Sequence, residues 1–469
     1  MRTASISFNY VLSHKMRFEG KHYLNDNALS CMSIEKNASK CFCLDDIADV
    51  FNPPVFKRQF CKQSGNSVMY FQSSDVSTAN ETSPVFINKK QVESLNLLVR
   101  KNDILITGFG TIGNVRLVSR LQDGVCYANN VCRVRIKDGV YLGYIYAFLS
   151  SKYAYAQLNN NASGSVVRYI EAPGVKKTLV PSFPESFQKE VDDLIQESAR
   201  LREEAADMLS EAERLLKTSA NLRDLTPEDY DYFGPRGAGR EVSCFVRKRK
   251  DITTTTFNAF NLSERIKLCI LDSLKQCNTI SFYDAIDENK LQSPSGVEVN
   301  EVKEGFGIML INQSDIFNQI IKGKYISKKK KYTKDLLKKG EILIAKIGTL
   351  GENETFCRCV YVGEELEGQL VSSAFYRMKP ISGIPSGYLY TWLSSDYGFR
   401  LLRSSQFGTK QCYPNPAILY KYPIPILSPD IMNEIDQLVK EAHTKRYKAN
   451  ENERKAIRMV EEEIEKWNK

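Results

Sequence analysis

The sequence predicts an α+β protein: two homologous globular units in tandem, each followed by a long α-helix, with the two helices paired as an intramolecular coiled coil. Three observations predict this. A set of motifs is written twice in the same order, and an apolar seam of helical period follows each copy. The composition is that of an ordinary globular chain, with 42% hydrophobic and 26% charged residues over 469 positions. At about 100 to 200 residues per domain, that length holds two to four folded units.

The repeat comes first. Asp103-Ile-Leu-Ile-Thr-Gly-Phe-Gly-Thr-Ile-Gly113 recurs as Glu341-Ile-Leu-Ile-Ala-Lys-Ile-Gly-Thr-Leu-Gly351, at an offset of 238. Upstream, Met69-Tyr-Phe-Gln-Ser-Ser-Asp75 recurs as Met309-Leu-Ile-Asn-Gln-Ser-Asp315, at 240. Downstream, Gly143-Tyr-Ile-Tyr-Ala-Phe-Leu-Ser-Ser-Lys-Tyr153 recurs as Gly387-Tyr-Leu-Tyr-Thr-Trp-Leu-Ser-Ser-Asp-Tyr397, at 244, and Gly164/Gly408 and Pro181/Pro425 keep that offset. Matches in one order with a slowly drifting offset mark a duplication. Within each copy the pattern predicts short strands, such as 104–107 and 131–136, and one helix near 143–157, with its counterpart near 387–402.

Each copy closes on a helical segment. From Phe187 the positions Val191, Leu194, Ser198, Leu201, Ala205, Met208, Ala212, Leu215, Ser219 and Leu222 alternate steps of four and three and are mostly apolar, which predicts a heptad seam. The second segment opens with Ile431, Ile435, Leu438 and Ala442 and closes with Ile457, Val460, Ile464 and Trp467, while its middle, 445–455, reads as polar and out of phase. A one-sided apolar stripe is not left in water, so the two helices are expected to pack on each other. The Gly-, Pro- and acid-rich stretch around 224–240 reads as a linker.

Charge follows the same division. Segment 185–225 holds 6 Lys and Arg against 11 Asp and Glu, and segment 429–469 holds 9 against 10. The net charge of +9 therefore places +15 on the rest of the chain, which points to globular parts that meet a polyanion. There is no apolar run of 18 residues and no signal-peptide pattern at the start, so a cytoplasmic location without membrane contact is expected. The twelve Cys include no CxxC; the pairs Cys41/Cys43 and Cys357/Cys359 are expected on one face of a strand each, as reduced thiols, with no metal site.

Two catalytic patterns fail on their surroundings. Gly108-Phe-Gly-Thr-Ile-Gly113 fits GxGxxG, but the following Asn114-Val-Arg-Leu-Val-Ser119 alternates like a strand, and Arg133 stands where an acid would hold a ribose. The shared Gly-Thr-x-Gly is read instead as a turn needing positive φ. Asn52-Pro-Pro-Val55 is similar to the loop by which adenine methyltransferases hold a flipped base, yet Val55 offers no ring to stack. His14, His22 and His443 stand far apart and are expected on the surface or a helix face.

Over nearly its whole length the chain resembles the specificity subunits of type I restriction-modification systems. The resemblance rests on Asp103-Ile-Leu-Ile with Gly110-Thr-Ile-Gly113 and on Glu341-Ile-Leu-Ile with Gly348-Thr-Leu-Gly351. It also rests on the paired aromatic helices, on Gly164-Ser165 and Gly408-Thr409, and on Leu179-Val-Pro181 and Ile424-Pro-Ile426 before the coils. The glutamine often found where the coil begins is present as Gln188; Met432 stands there in the second copy. The resemblance implies target recognition domains at 1–184 and 243–428, antiparallel coiled-coil helices at 185–225 and 429–469, and a linker at 226–242. It implies a non-catalytic subunit that recruits two methyltransferase subunits, and restriction subunits, to a split target in double-stranded DNA. S-adenosylmethionine, ATP and Mg would belong to those partners, with no cofactor in this chain.

A two-part reader needs one scaffold with two vocabularies, so the candidate contacts are loops that share a frame but differ in side chain. One is Gly164-Ser-Val-Val-Arg168 against Gly408-Thr-Lys-Gln-Cys412; the other is Gln72-Ser-Ser74 against Asn312-Gln-Ser314. Arg168, Ser165, Lys410, Gln411, Gln72 and Asn312 are the candidates for base reading, and Thr111, Lys346 and Thr349 for holding the DNA backbone. The runs Arg247-Lys-Arg-Lys250 and Lys328-Lys-Lys-Lys331 are candidate backbone clamps. A stand-alone or fused adenine methyltransferase, or a coiled-coil scaffold that binds no DNA, are the rival readings.

Overall fold

The structure, a computed structural model, describes residues 6, 8–13, 23, 25–164, 167–226, 229, 246, 248–249, 252, 255–262 and 270–468. The linker expected at 226–242 lies almost wholly outside the described residues. The chain is α+β and packs as two compact units, residues 1–203 with 448–469, and residues 204–447. The two cuts, after Glu203 and after Tyr447, are 244 residues apart, which is the repeat offset itself. Each unit therefore holds one globular copy, the first half of the helix that follows it, and a half of the other long helix.

The copies share topology and register. Strand Ile104–Thr107, buried along its whole length, pairs antiparallel with Val131–Ile136 on one side and Val115–Leu117 on the other. Its counterpart Ile342–Ala345, equally buried, pairs with Phe375–Met378 and Cys359–Tyr361. Burial on both faces is why these strands read as continuous apolar runs rather than as an alternation. The acid before each strand has a structural role. Asp103 accepts from the Arg100 backbone N–H (3.0 Å) and pairs with Arg135, and Glu341 accepts from the Lys338 N–H (3.3 Å) and pairs with Arg377. A second small sheet repeats too: Ser67–Phe71 runs parallel to Cys126–Tyr127 as Gly307–Ile311 runs parallel to Leu370–Val371. Strand Cys41–Cys43 pairs with Leu179–Pro181, and Thr279–Ser281 with Pro423–Pro425. Cys357, however, sits at φ +64° just before its strand, so the second CxC pair does not share a strand face.

The helix expected at 143–157 is two helices, Leu142–Leu149 and Lys152–Asn160, and its counterpart is Ser386–Ser394 followed by Asp396–Ser404. Ser151 and Ser395 break the run, each accepting a hydrogen bond at the start of the second helix. The first helix of each pair rests on a long helix through a glycine. The Gly143 N–H donates to Asp192 Oδ1 (2.5 Å) and the Gly387 N–H to Asp436 Oδ1 (2.7 Å), which puts a carboxylate at the positive end of each helix. One residue on, Tyr144 donates to the Pro181 carbonyl and Tyr388 to the Pro425 carbonyl, both at 2.6 Å.

The long helices span Glu185–Ser219 and Pro429–Glu465. The first stops short of Leu222 because Asn221 takes φ +51°, and the Leu222 N–H turns back to the Lys217 carbonyl (2.8 Å), the hydrogen-bonded left-handed cap that ends many helices. In the first unit the packing is antiparallel: Phe183 meets Trp467 with ring centroids 5.5 Å apart, and further along Ser198 donates to the Ala449 carbonyl (2.8 Å). In the second unit Ala212 and Leu216 share a core with Met432, Ile435 and Val439. The seam is rotated from the heptad expectation. Ile195 and Leu216 are buried where Leu194 and Leu215 are half-buried, and Ser219 is exposed, because each half of the helix also packs against the globular copy of its own unit. The middle of the second helix is in phase after all. Ala449, Asn450, Glu453 and Ala456 are buried, and Arg202 pairs with Glu453 (2.6 Å) and Asn450 (2.8 Å), so polar residues fill a seam that hydropathy alone reads as surface.

His443 lies on this helix packed between Tyr361 (4.9 Å between centroids) and Tyr390 (5.6 Å), while His14 and His22 lie outside the described residues. Burial holds its imidazole neutral, lowered to about 3, with Arg446 acting in the same direction and Glu364 against it. The unfolded chain binds that proton below pH 6.5 and the folded one does not, so stability drops as pH falls through this window. A loss of about 1.4 kcal/mol per pH unit from this site is expected below pH 6.5. Calorimetry of wild type against His443→Phe checks it: the variant should show a flatter pH dependence. Among the described residues, no helix is long and apolar enough to cross a membrane.

Candidate nucleic-acid interface

In each unit a short hairpin stands beside the turn that follows the buried central strand. In the first, Ser163 pairs with Tyr169, and Phe109 of the neighbouring turn pairs with Tyr169 as well. In the second, Phe407 pairs with Tyr413, and Gly348 pairs with Cys412. Gly164 (φ +89°) and Gly408 (φ +98°) start the tips, and a Cβ at either would strike the carbonyl of Val167 or Gln411. Arg168, Lys410 and Gln411 are exposed on these tips. Arg168 donates to the Asn159 carbonyl, and Gln411 Oε1 accepts from the Tyr413 hydroxyl (2.9 Å). Ser165 lies outside the described residues.

The other candidates sit close by in sequence and in hydrogen bonding. Gln313, next to Asn312, donates to the Ile347 carbonyl (2.6 Å) and to Thr355 Oγ1 (2.9 Å), which ties the 312–314 loop to the 346–351 turn. Asn312 itself is exposed and donates to Asp315 (3.2 Å). In the first unit Gln72 is exposed, and its segment is tied to the central sheet by Arg116, which donates to the Thr78 carbonyl (2.5 Å). Thr111 and Thr349 are exposed. Lys346 is half-buried; its Nζ donates to Ser293 Oγ (2.7 Å) and lies 4.9 Å from the Tyr376 ring centre, and desolvation lowers it below the usual lysine range. Two further N–H donors of its ammonium remain for a phosphate.

The turns carrying Thr111 and Thr349 are not the same turn. Ile106 pairs with Val115 across the first, and Ile344 with Cys359 across the second, so the second is six residues longer. The whole rise in offset from 238 to 244 is located there. Gly110 and Gly113 take positive φ, as expected, but Gly348 and Gly351 do not; Cys357 does instead. Cys357 is the counterpart of Gly113, since its N–H donates to the Ala345 carbonyl (2.7 Å) as that of Gly113 donates to Thr107 (3.1 Å).

The extension has its own support. Arg358, Arg400 and Arg403 surround the Phe399 ring at 4.6, 5.2 and 4.7 Å, and Glu352 of the extended turn accepts from Arg400 (2.7 Å) and Arg403 (3.3 Å). Arg403, wholly buried, also donates to the carbonyls of Thr349 and Gly351. Burial lowers its guanidinium to about 10. The positions of the first copy that correspond to Arg358, Arg400 and Arg403 hold Asn114, Ala156 and Asn159, so this cationic floor belongs to the second unit alone. Comparing the copies at these positions is the sequence signal that would have found it.

Both catalytic patterns resolve into structure. GxGxxG is followed by strand Val115–Leu117, and Arg133 is buried, donating to the Leu97 and Leu98 carbonyls. Asn52 holds the domain together, accepting from the Ala172 N–H (2.7 Å) and donating to the Asn129 carbonyl (3.4 Å). Of the candidate clamps, Lys329 and Lys331 both pair with Glu298, while Lys328 and Lys330 are exposed. Arg247 and Lys250 lie outside the described residues.

No family model and no curated protein matches the chain. Among solved structures it is similar to the type I restriction-modification S subunit from M. genitalium, at 13% identity and a TM-score of 0.37 over 91% of this chain and 95% of that one. It is similar to the HsdS subunit from Thermoanaerobacter tengcongensis at 13% identity and a TM-score of 0.26, covering 91% and 95%. A chain from a structure of the type I R-M system, described for its assembly and conformational transition, matches at 14% identity and a TM-score of 0.26, covering 91% and 96%.

Proposed function

We propose that this chain is the DNA sequence-recognition subunit of a type I restriction-modification complex, reading a split target in double-stranded DNA with one half-site per globular copy. In this reading 1–184 and 243–428 are the target recognition domains, and the helices 185–225 and 429–469 space them. A helix of 35 residues is about 53 Å long, enough to set domains over half-sites about one duplex turn apart. Two methyltransferase subunits, and restriction subunits through or beside them, supply the chemistry in the cytoplasm, and S-adenosylmethionine, ATP and Mg bind to them.

The observation that carries the reading is the repeated frame with changed tips. Strand pairing, the glycine on the long helix and the tyrosine on the proline carbonyl recur in one order, while Val167 and Arg168 in one hairpin stand at the repeat positions of Gln411 and Cys412 in the other. Conserving a scaffold while varying its exposed loops is what recognising two different half-sites requires.

Titrating duplex DNA at several salt concentrations, with and without the methyltransferase subunits, tests it. Affinity is expected to fall linearly with salt on logarithmic axes, and Lys346→Gln to reduce that slope by about one. Binding absent under both conditions would favour the scaffold reading. Robust methyl transfer by the chain alone would favour an enzyme.

A further inference from the structure

Resting on that reading, we infer that each unit touches DNA bases through a partly exposed aromatic pair at its hairpin, Tyr169 with Phe109 of the adjoining turn and Tyr413 with Phe407, and that Tyr413 also sets what Gln411 reads. The first pair is stacked with centroids 5.5 Å apart and planes at 17°, the second lies at 5.7 Å and 33°. These rings are not core. Phe109 is 40% exposed, Tyr169 37% and Phe407 48%, and Val167 on the first tip is 61% exposed.

The two pairs are assembled by different routes. Tyr169 and Tyr413 occupy one repeat position, but the residue across the hairpin is Ser163 in the first unit and Phe407 in the second. Where the hairpin supplies no ring, the neighbouring turn does, through Phe109. The second turn, with Gly348 at the bridge, supplies none. Packing alone does not call for an exposed ring pair twice over, since a ring left this far in water gains only part of its burial energy.

The flanking chemistry selects the occupant. Arg168 precedes Tyr169 and Lys410 lies on the other tip, in a chain whose globular parts carry the excess of positive charge. Cations beside apolar rings suit a duplex groove, where phosphates and base edges lie together. Each ring already covers one face of its mate, so the pair offers edges and outer faces to base edges and thymine methyl groups in a groove, rather than a free blade to push between base pairs. In the second unit the Tyr413 hydroxyl donates to Gln411 Oε1 (2.9 Å), which engages the amide's acceptor and leaves its N–H donors for a partner. A glutamine held in this way reads acceptors, such as purine N7, guanine O6 or thymine O4. Tyr413 is thus a positioning residue for Gln411 as well as a contact.

The test uses the full chain with its methyltransferase subunits on its split target, with every base pair of both half-sites substituted in turn. Tyr413→Phe keeps the ring and removes the hold on Gln411. It is expected to relax preference at one base pair of one half-site by roughly tenfold, leaving the other half-site and the salt slope unchanged. Tyr169→Ala is expected to relax a position in the opposite half-site. A wild type that discriminates, with variants that keep its profile or weaken equally on all sequences, overturns this inference alone. A wild type with no half-site preference overturns the functional reading and this inference with it.

Discussion

Gly387→Ala is expected to destabilise the second unit by about 3 kcal/mol or more, the upper range for overpacking at a tight contact. A Cβ there would lie 2.9 Å from Asp436 Cα and 3.0 Å from its carbonyl oxygen, so it meets backbone, which cannot rotate away as a side chain can. The helix Ser386–Ser394 must then lift from the long helix, and its N–H loses Asp436. At 2–4 °C per kcal/mol for a unit of this size, Tm should fall by about 6–12 °C. Gly143→Ala is the matching experiment in the first unit, where a Cβ would lie 2.9 Å from Asp192 Cα. Gly296→Ala, with open space around it, serves as the control and should shift stability by no more than about 0.5 kcal/mol. Calorimetry that found Gly387→Ala as stable as the control would refute the close approach on which the helix docking depends.

Glu341→Ala should be costlier still. Arg377 is buried with its guanidinium on Glu341 (2.7 and 2.9 Å) and on the carbonyls of Asp335 (2.8 Å) and Leu336 (3.1 Å). Removing the carboxylate leaves an uncompensated charge in the core, which costs about 3–5 kcal/mol. The first copy offers an internal comparison. There the carboxylate of Asp103 hydrogen-bonds Arg135, whose side chain is 32% exposed, while Arg133, at the repeat position of Arg377, rests on the Leu97 and Leu98 carbonyls, so water can take over part of the partner's role and Asp103→Ala should cost less. The two tryptophans separate the readouts, since Trp392 lies in the second unit and Trp467 in the first. Denaturant unfolding therefore follows Glu341→Ala in the second unit in a Trp467→Phe background, and Asp103→Ala in the first in a Trp392→Phe background. Equal losses for the two variants would show that exposure of the arginine is not what distinguishes the pairs.

The duplication, the helix after each copy and the strand after Gly113 were all legible in the sequence, because they depend on order and period, which a single chain displays. Four features were not. Asn450 and Glu453 look like surface by hydropathy, and only the approach of Arg202 makes their burial possible. The Gly-Thr-x-Gly match hid a turn six residues longer, since aligned letters concealed that Cys357, not Gly351, takes the place of Gly113. The aromatic pairs escaped comparison of the copies because Phe109 and Phe407 come from different segments, and a shared function built from unshared positions leaves only Tyr169 and Tyr413 as its trace. The charge of Lys346 suggests a phosphate contact, but spacing gives no sign of its bond to Ser293.

Mapping methylated motifs in a host with and without this gene puts the account to its most direct test. One split motif, two specified halves around an unread gap of constant length, should vanish with the gene. A methylome unchanged by its loss would contradict the claim that this chain chooses where its partners act.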